Sequence, residues 1–245
     1  MKFRWHKWIR KAHRWLGVII GIQFLAWTMG GLYFSWTDLD TVHGSDRLGP
    51  PPTLQPGFQP ASVDRALAAL QPGEGGAFDR IELLPLSESS AVYRITYRNS
   101  EGTRDSQLVD AKTGELREPL NVEECLRLAE ARYEGPEGIK VTSTRRLEAT
   151  GPHDEYRELP LPAYAFTFDD DRKTTIYVAP SHARVTSVRN KQWRAFDFLW
   201  MMHTMDYESR DNFNNLLLQA FAVFGLVTIL SGFALFFVSA RWMRR

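Results

Sequence analysis

The sequence predicts an α+β protein held between two transmembrane helices, one near each end. Three observations carry that expectation. No charged residue occurs from Trp15 to Thr37, and none from Asn212 to Ala240. The interval between these runs is as polar as an ordinary soluble domain, although the whole 245-residue chain has a formal charge of only +1. Within that interval one helix-and-strand pattern occurs twice.

Residues 1–14 are basic, with Lys2, Arg4, Lys7, Arg10, Lys11 and Arg14. Trp5, Trp8, Ile9, Ala12 and Leu16 form an apolar side opposite these charges, so the segment is expected as an amphipathic helix on the inner membrane surface. Residues 15–37 follow as the first span. An uncharged run of 23 residues makes roughly 34 Å of helix, enough for a hydrocarbon core of ~30 Å. A cleaved signal would end in a small-x-small site, and Leu32-Tyr33-Phe34-Ser35-Trp36 offers none. Residues 212–240 are the second span and 241–245, with Arg241, Arg244 and Arg245, a basic tail. Asp38, Asp40, Asp206, Glu208 and Asp211 lie at the opposite ends of the spans, so the positive-inside rule puts both termini in the cytoplasm and the middle outside. All eight tryptophans lie in or beside the spans. Trp5, Trp8, Trp15 and Trp242 would mark the inner headgroup level, Trp36, Trp193 and Trp200 the outer one, with Trp27 deep. Bacterial inner membrane is the expected location, with membrane lipid rather than nucleic acid as partner of the basic collar.

Residues 38–60 contain Gly49-Pro50-Pro51-Pro52-Thr53-Leu54-Gln55-Pro56-Gly57, which cannot continue a helix and is expected as an extended periplasmic tether. Residues 61–120 form the first repeat. Ser62 is a helix N-cap, Val63, Ala66, Leu67 and Leu70 make one apolar face, and Pro72-Gly73 stops the helix. Fifty-nine residues later the second repeat, 121–190, begins alike: Asn121 and Glu124 form a capping box, and Val122, Cys125, Leu126 and Ala129 repeat the apolar spacing. Tyr93, Ile95 and Tyr97 alternate as Tyr164, Phe166 and Phe168 do. The run Val109 to Leu116 corresponds to Val178 to Val185 as a strand entering a turn. Each repeat reads as a helix and three strands, the helix lying on an antiparallel sheet. Residues 191–211 are an interfacial helix and turn.

These residues together resemble the PepSY family, specifically members with PepSY-associated transmembrane helices. The resemblance rests on His13-Arg14-Trp15-Leu16-Gly17 through Gly30-Gly31-Leu32 to Asp38-Leu39-Asp40. It rests equally on Leu199 to Tyr207, Arg210 to Asn214 and Leu230-Ser231-Gly232, and on Val109 to Leu116 as a repeat end. It implies tandem cystatin-like units in the periplasm. Larger relatives hold b-type haem between their helices and reduce ferric siderophores, and isolated domains are associated with peptidase inhibition. This chain has two spans only, and neither carries a histidine in its apolar interior.

No nucleophile elbow, His-Glu-x-x-His, phosphate loop or dinucleotide fingerprint occurs, so no catalytic residue is assigned. Cys125 is alone and matches Ala66, which makes it a small core residue. The histidines are the remaining candidates, because imidazole ligates haem iron. His203 shares a helix face with Phe196, Leu199 and Trp200, either packed and hydrogen-bonded or ligating haem b or a metal with a partner such as His43. His43 otherwise is a solvated loop residue. His13, at the cytoplasmic mouth, is an interfacial histidine or a ligand completed by a second subunit or another protein, because the membrane separates it from His203. His182 matches Thr113 and reads as a surface turn residue. Asp169-Asp170-Asp171 reads as an acidic hairpin loop rather than a calcium site. Gly17 and Gly21, and Thr228 and Gly232, are small-residue steps that suit pairing of the spans, dimerisation or docking on another membrane protein.

The resemblance therefore implies an accessory component of haem or iron handling or of membrane electron transfer, acting with a membrane-protein partner or as a homo-oligomer. The alternative is a membrane-anchored periplasmic module that binds peptides or regulates a protease without redox activity.

Overall fold

The computed structural model describes residues 5–70 and 76–242. Lys2, Phe3, Arg4, Arg244, Arg245 and the Pro72-Gly73 stop lie outside the described residues, as do the side chains of Trp5, Lys7, Trp8, Ile9, Ala12, Arg241 and Trp242. The architecture is α+β, with two antiparallel four-stranded sheets between long terminal helices. In chain order the first elements are α1 (Trp5–Trp36), α2 (Leu39–His43), α3 (Val63–Ala68), β1 (Ala77–Ser87), β2 (Ser90–Arg98), β3 (Arg104–Asp110) and β4 (Leu116–Arg117). There follow α4 (Val122–Arg132), β5 (Val141–Leu147), β6 (Ala163–Phe168), β7 (Thr175–Ala179), β8 (Arg184–Arg189), α5 (Lys191–Thr204) and α6 (Leu216–Trp242). The chain divides into two compact units: residues 1–38 with 195–245, and Leu39–Arg194.

In the helical unit, His13–Trp36 of α1 and Leu216–Phe237 of α6 are long and apolar enough to cross a membrane. They pack against each other where α6 has glycines. Phe24 lies against Gly225 and His13 against Gly232, so the missing side chains let the helices approach. Gly17 and Gly21 take no part, since nothing lies within 4 Å of where their Cβ atoms would be. The helix α6 starts at Leu216 rather than at Asn212 because Asn215 caps it: its Oδ1 accepts the Leu218 N–H at 2.8 Å. The preceding turn is organised by Asp206, which accepts N–H bonds from Glu208, Ser209 and Asn212 and the Ser209 hydroxyl.

In the α+β unit each sheet runs in sequential order, β1-β2-β3-β4 and β5-β6-β7-β8. Sequence periodicity had yielded three strands per repeat, and both sheets have a fourth. The additions are hard to read: β4 is two residues long, and β5 is an edge strand with an almost wholly exposed pattern. Ser62 caps α3 through the Arg65 N–H, and Asn121 with Glu124 forms the capping box of α4. Tyr93, Ile95 and Tyr97 pack with Ala66 and Leu70 in one cluster. A second, larger cluster joins both repeats: Val92 and Leu108 of the first sheet meet Cys125, Leu128 and Ala129 of α4 and Phe166, Phe168, Ile176 and Val178 of the second sheet.

The segment 39–60 runs over this unit rather than away from it. Val42 is fully buried, Leu48 pairs with Tyr133, and Leu54 and Phe58 pack on the first-repeat cluster. Asn190 donates its amide to the Thr41 carbonyl at 2.7 Å. Gly44 has φ of 74°, and a Cβ there would stand 2.8 Å from Val188 Cγ1, so glycine is required twice over. A proline-rich strand without helical bonds still buries its flanking Leu48, Leu54 and Phe58, which is why the tether expected from composition lies on the unit instead. Trp193, expected at the outer headgroup level, is buried at 8% exposure with the Arg189 guanidinium 4.2 Å from its ring centre.

Candidate functional site

The two faces of the first sheet differ in chemistry along their rows. On the face opposite α3, cross-strand partners run Leu84 to Val92, then Glu82 to Arg94 to Leu108, then Arg80 to Thr96 to Ser106. The apolar end enters the shared core. The polar end forms the floor of a cleft of about 590 Å³, walled by Ser181, His182, Arg184, Leu161 and Pro162 of the second repeat. Arg104 and Asp105 close its far side.

Arg94 is 5% exposed and is held by Glu82, which accepts from its Nε at 3.0 Å and from its terminal nitrogen. That hydrogen bond keeps the Glu82 carboxyl below its ordinary range, against the opposing effect of burial. Arg80 also approaches Glu82, at 3.9 Å, and Arg104 pairs with Asp79 at 2.9 Å. His182 is half-buried, its Nδ1 3.1 Å from Ser181 Oγ. Burial first, then the positive charges of Arg94 and Arg184, push its imidazole below the usual histidine value, with Glu82 opposing. The sequence had placed His182 in the turn after a strand, where it does lie. What sequence reasoning missed is the set of arginines converging on it from β1, β2, β3 and β8. The available signal was Arg94 itself, a charge in the middle of a strand whose neighbours on both faces are buried.

Of the three histidines singled out from the sequence, His13 and His203 lie apart within the helical unit and His43 belongs to the other unit. His203 lies in the helical unit among rings, with centroids of Trp27, Phe34 and Trp200 at 5.7, 6.1 and 6.1 Å. Its Nδ1 is buried without a hydrogen-bond partner, as is Trp27 Nε1. His13 lies fourteen residues before Trp27, about 21 Å along α1. Its Nδ1 meets Ser231 Oγ at 2.6 Å, and because that hydroxyl already donates to the Thr228 carbonyl, His13 donates. His43 ends α2 in the other unit and is exposed. For a b-type haem the fit within one chain is poor. His203 is covered by three rings, and the void lined by Ile20, Gln23, Phe24, Trp27 and Phe221 is about 10 Å³, room for one water.

Among the described residues no three of His, Cys, Asp and Glu converge as metal ligands. Asp169, Asp170 and Asp171 are engaged separately: Asp169 with Lys173, Asp170 with Thr174 and Tyr133, Asp171 with Arg47. Cys125 is fully buried, and burial pushes its thiol up to about 12. No family model, curated protein or solved structure matches the chain.

Proposed function

We propose that the chain is a PepSY-type protein anchored by two spans, with both termini cytoplasmic, whose unit of residues 39–194 is a binding module on the outer side of a bacterial inner membrane. The observation that carries this reading is the arginine-lined cleft: a concave site within the size range of ligand pockets, with convergent polar groups. The basic flanks of the spans and the repeated helix-on-sheet order support the topology and the family. The test is site-specific photocrosslinking from a reactive residue placed at Ser106 on the cleft floor, in intact membranes. A discrete adduct that is lost on Arg184→Ala supports a binding module. Absence of any adduct at Ser106 overturns it.

A second reading, accessory haem or iron handling with a membrane partner or second copy, draws on the unpartnered Nδ1 of His203. Because the ring is covered within one chain, a ligand role there needs a rearrangement completed by another protein. Its test is the absorption spectrum of detergent-purified protein from haem-replete cells. A Soret band abolished by His203→Ala supports it, and colourless protein counts against it.

A further inference from the structure

The charges of the cleft are unevenly satisfied. Four arginines line it against two carboxylates, Glu82 and Asp105, leaving a formal excess of +2 before His182 is counted. Arg94 and Arg80 share Glu82, and Arg104 has Asp79. Arg184, at the start of β8, is exposed and makes no ion pair among the described residues. The cleft thus already contains one guanidinium gripping a carboxylate, Arg94 on Glu82, and beside it a second, Arg184, whose charge reaches Glu82 only through space, without an ion pair. The groups facing His182 are Glu82 from β1, Arg94 from β2 and Arg184 from β8, with Arg80, Arg104 and Asp105 further along the lining.

Three hydroxyls, Thr96, Ser106 and Ser181, complete the lining. Hydroxyls can donate to a phosphate as well as to a peptide carbonyl, so extent is what favours a peptide: a cleft of about 590 Å³ is several times larger than a phosphate.

Building on the binding-module reading, we infer that the cleft takes an acidic peptide segment, one carboxylate seated on Arg184, and that His182 gains a proton from solvent as the segment binds. Burial disfavours the imidazolium first and a bound peptide does not relieve it, but the ligand's negative charge offsets the second cause, the positive charges of Arg94 and Arg184, and on that balance the bound state holds the proton more tightly than the free state. By linkage, affinity rises as pH falls toward and below the ordinary imidazole value of about 6.5.

The experiment is calorimetric titration of the detergent-purified full chain with a capped pentaglutamate peptide, its pentaglutamine counterpart, glutarate and inorganic phosphate. The glutamate peptide is expected to bind at least about tenfold more tightly than the other three, the scale of one charge-assisted contact. Arg184→Ala should remove about tenfold of that affinity, and His182→Gln should flatten the rise between about pH 7.5 and about pH 6. Arg184 is exposed, so its replacement leaves the fold intact, and thermal unfolding of the variant verifies this. Equal binding of the two peptides, equally tight binding of phosphate or glutarate, or full affinity in Arg184→Ala overturns the inference. If any of these occurs while the Ser106 adduct persists, the binding module stands and only its ligand class is wrong; loss of the adduct as well removes both.

Discussion

The two repeats begin from the same plan and use their open sheet faces differently. Aligning Tyr93, Ile95 and Tyr97 with Tyr164, Phe166 and Phe168 puts Arg94 opposite Ala165 and Thr96 opposite Thr167. In the second repeat the interval between helix and central strand is about a dozen residues longer. From that insertion comes Tyr156, which is 1% exposed, stacks on Tyr177 at 4.8 Å and shares its hydroxyl with Thr186. Glu155 beside it accepts from Arg194 and from Tyr177. The second face is thereby narrowed by its own chain to a pocket of about 220 Å³ along Ala165 and Thr167, while the first repeat has no such insertion and keeps Arg94 under a cleft of about 590 Å³. The same plan leaves the larger cleft on one copy because the other copy supplies its wall, His182 and Arg184.

The largest way to break this comparison is through the core the repeats share. Phe166→Ala is expected to cost about 3–5 kcal/mol and to lower the stability of both repeats in a single urea transition, read by far-ultraviolet dichroism. Two separate transitions would mean that Val92 and Leu108 do not couple the sheets. Next comes the lid of the second face: Tyr156→Phe keeps the ring stack but loses the hydroxyl bonds to Pro160 and Thr186, at about 1–2 kcal/mol. Its effect on ligand binding at the first face should be nil.

The cleft floor gives a pH signature of its own in the acid range. Arg94 holds Glu82 below its ordinary value of 4.5, so the pair stabilises the fold above that pH and loses its contribution as pH falls through the lowered value. Glu82→Gln should flatten that part of the acid-stability curve, and an unchanged curve would contradict the assignment. The smallest effect is expected at the exposed Arg98, whose pairing with Asp79 lies beyond the cleft. Arg98→Ala should change stability by less than about 0.5 kcal/mol.

Much of the scaffold is legible in the chain because it rests on local chemistry. The Ser62 cap, the Asn121 and Glu124 box and the alternation of Tyr93, Ile95 and Tyr97 are each decided within a few residues. Where contacts come from far along the chain, local pattern fails. The run from Gly49 to Gly57 reads as a free tether, yet Gly49 is fixed by Arg132, whose Nε donates to its carbonyl at 2.6 Å. Trp193 reads as an interfacial indole until Arg157 and Arg189 are seen beside its ring. The cleft is the extreme case. Its floor and its wall are nearly a hundred residues apart, so Arg80, Arg94 and Arg184 carry no common signature in sequence. The same distance limits the histidines, whose proximity to the spans was visible and whose partners were not.

Everything proposed for the cleft requires residues 39–194 to lie on the outer side of a membrane that the two apolar helices cross. Cys125 is fully buried with a protonated thiol, so the native chain is its own blank for thiol labelling. A cysteine introduced as Glu101→Cys, in the exposed turn between β2 and β3, should react with a membrane-impermeant maleimide on intact spheroplasts, in protein that stays with the membrane after carbonate extraction. Labelling only after lysis, or recovery of the protein in the carbonate supernatant, would contradict the account.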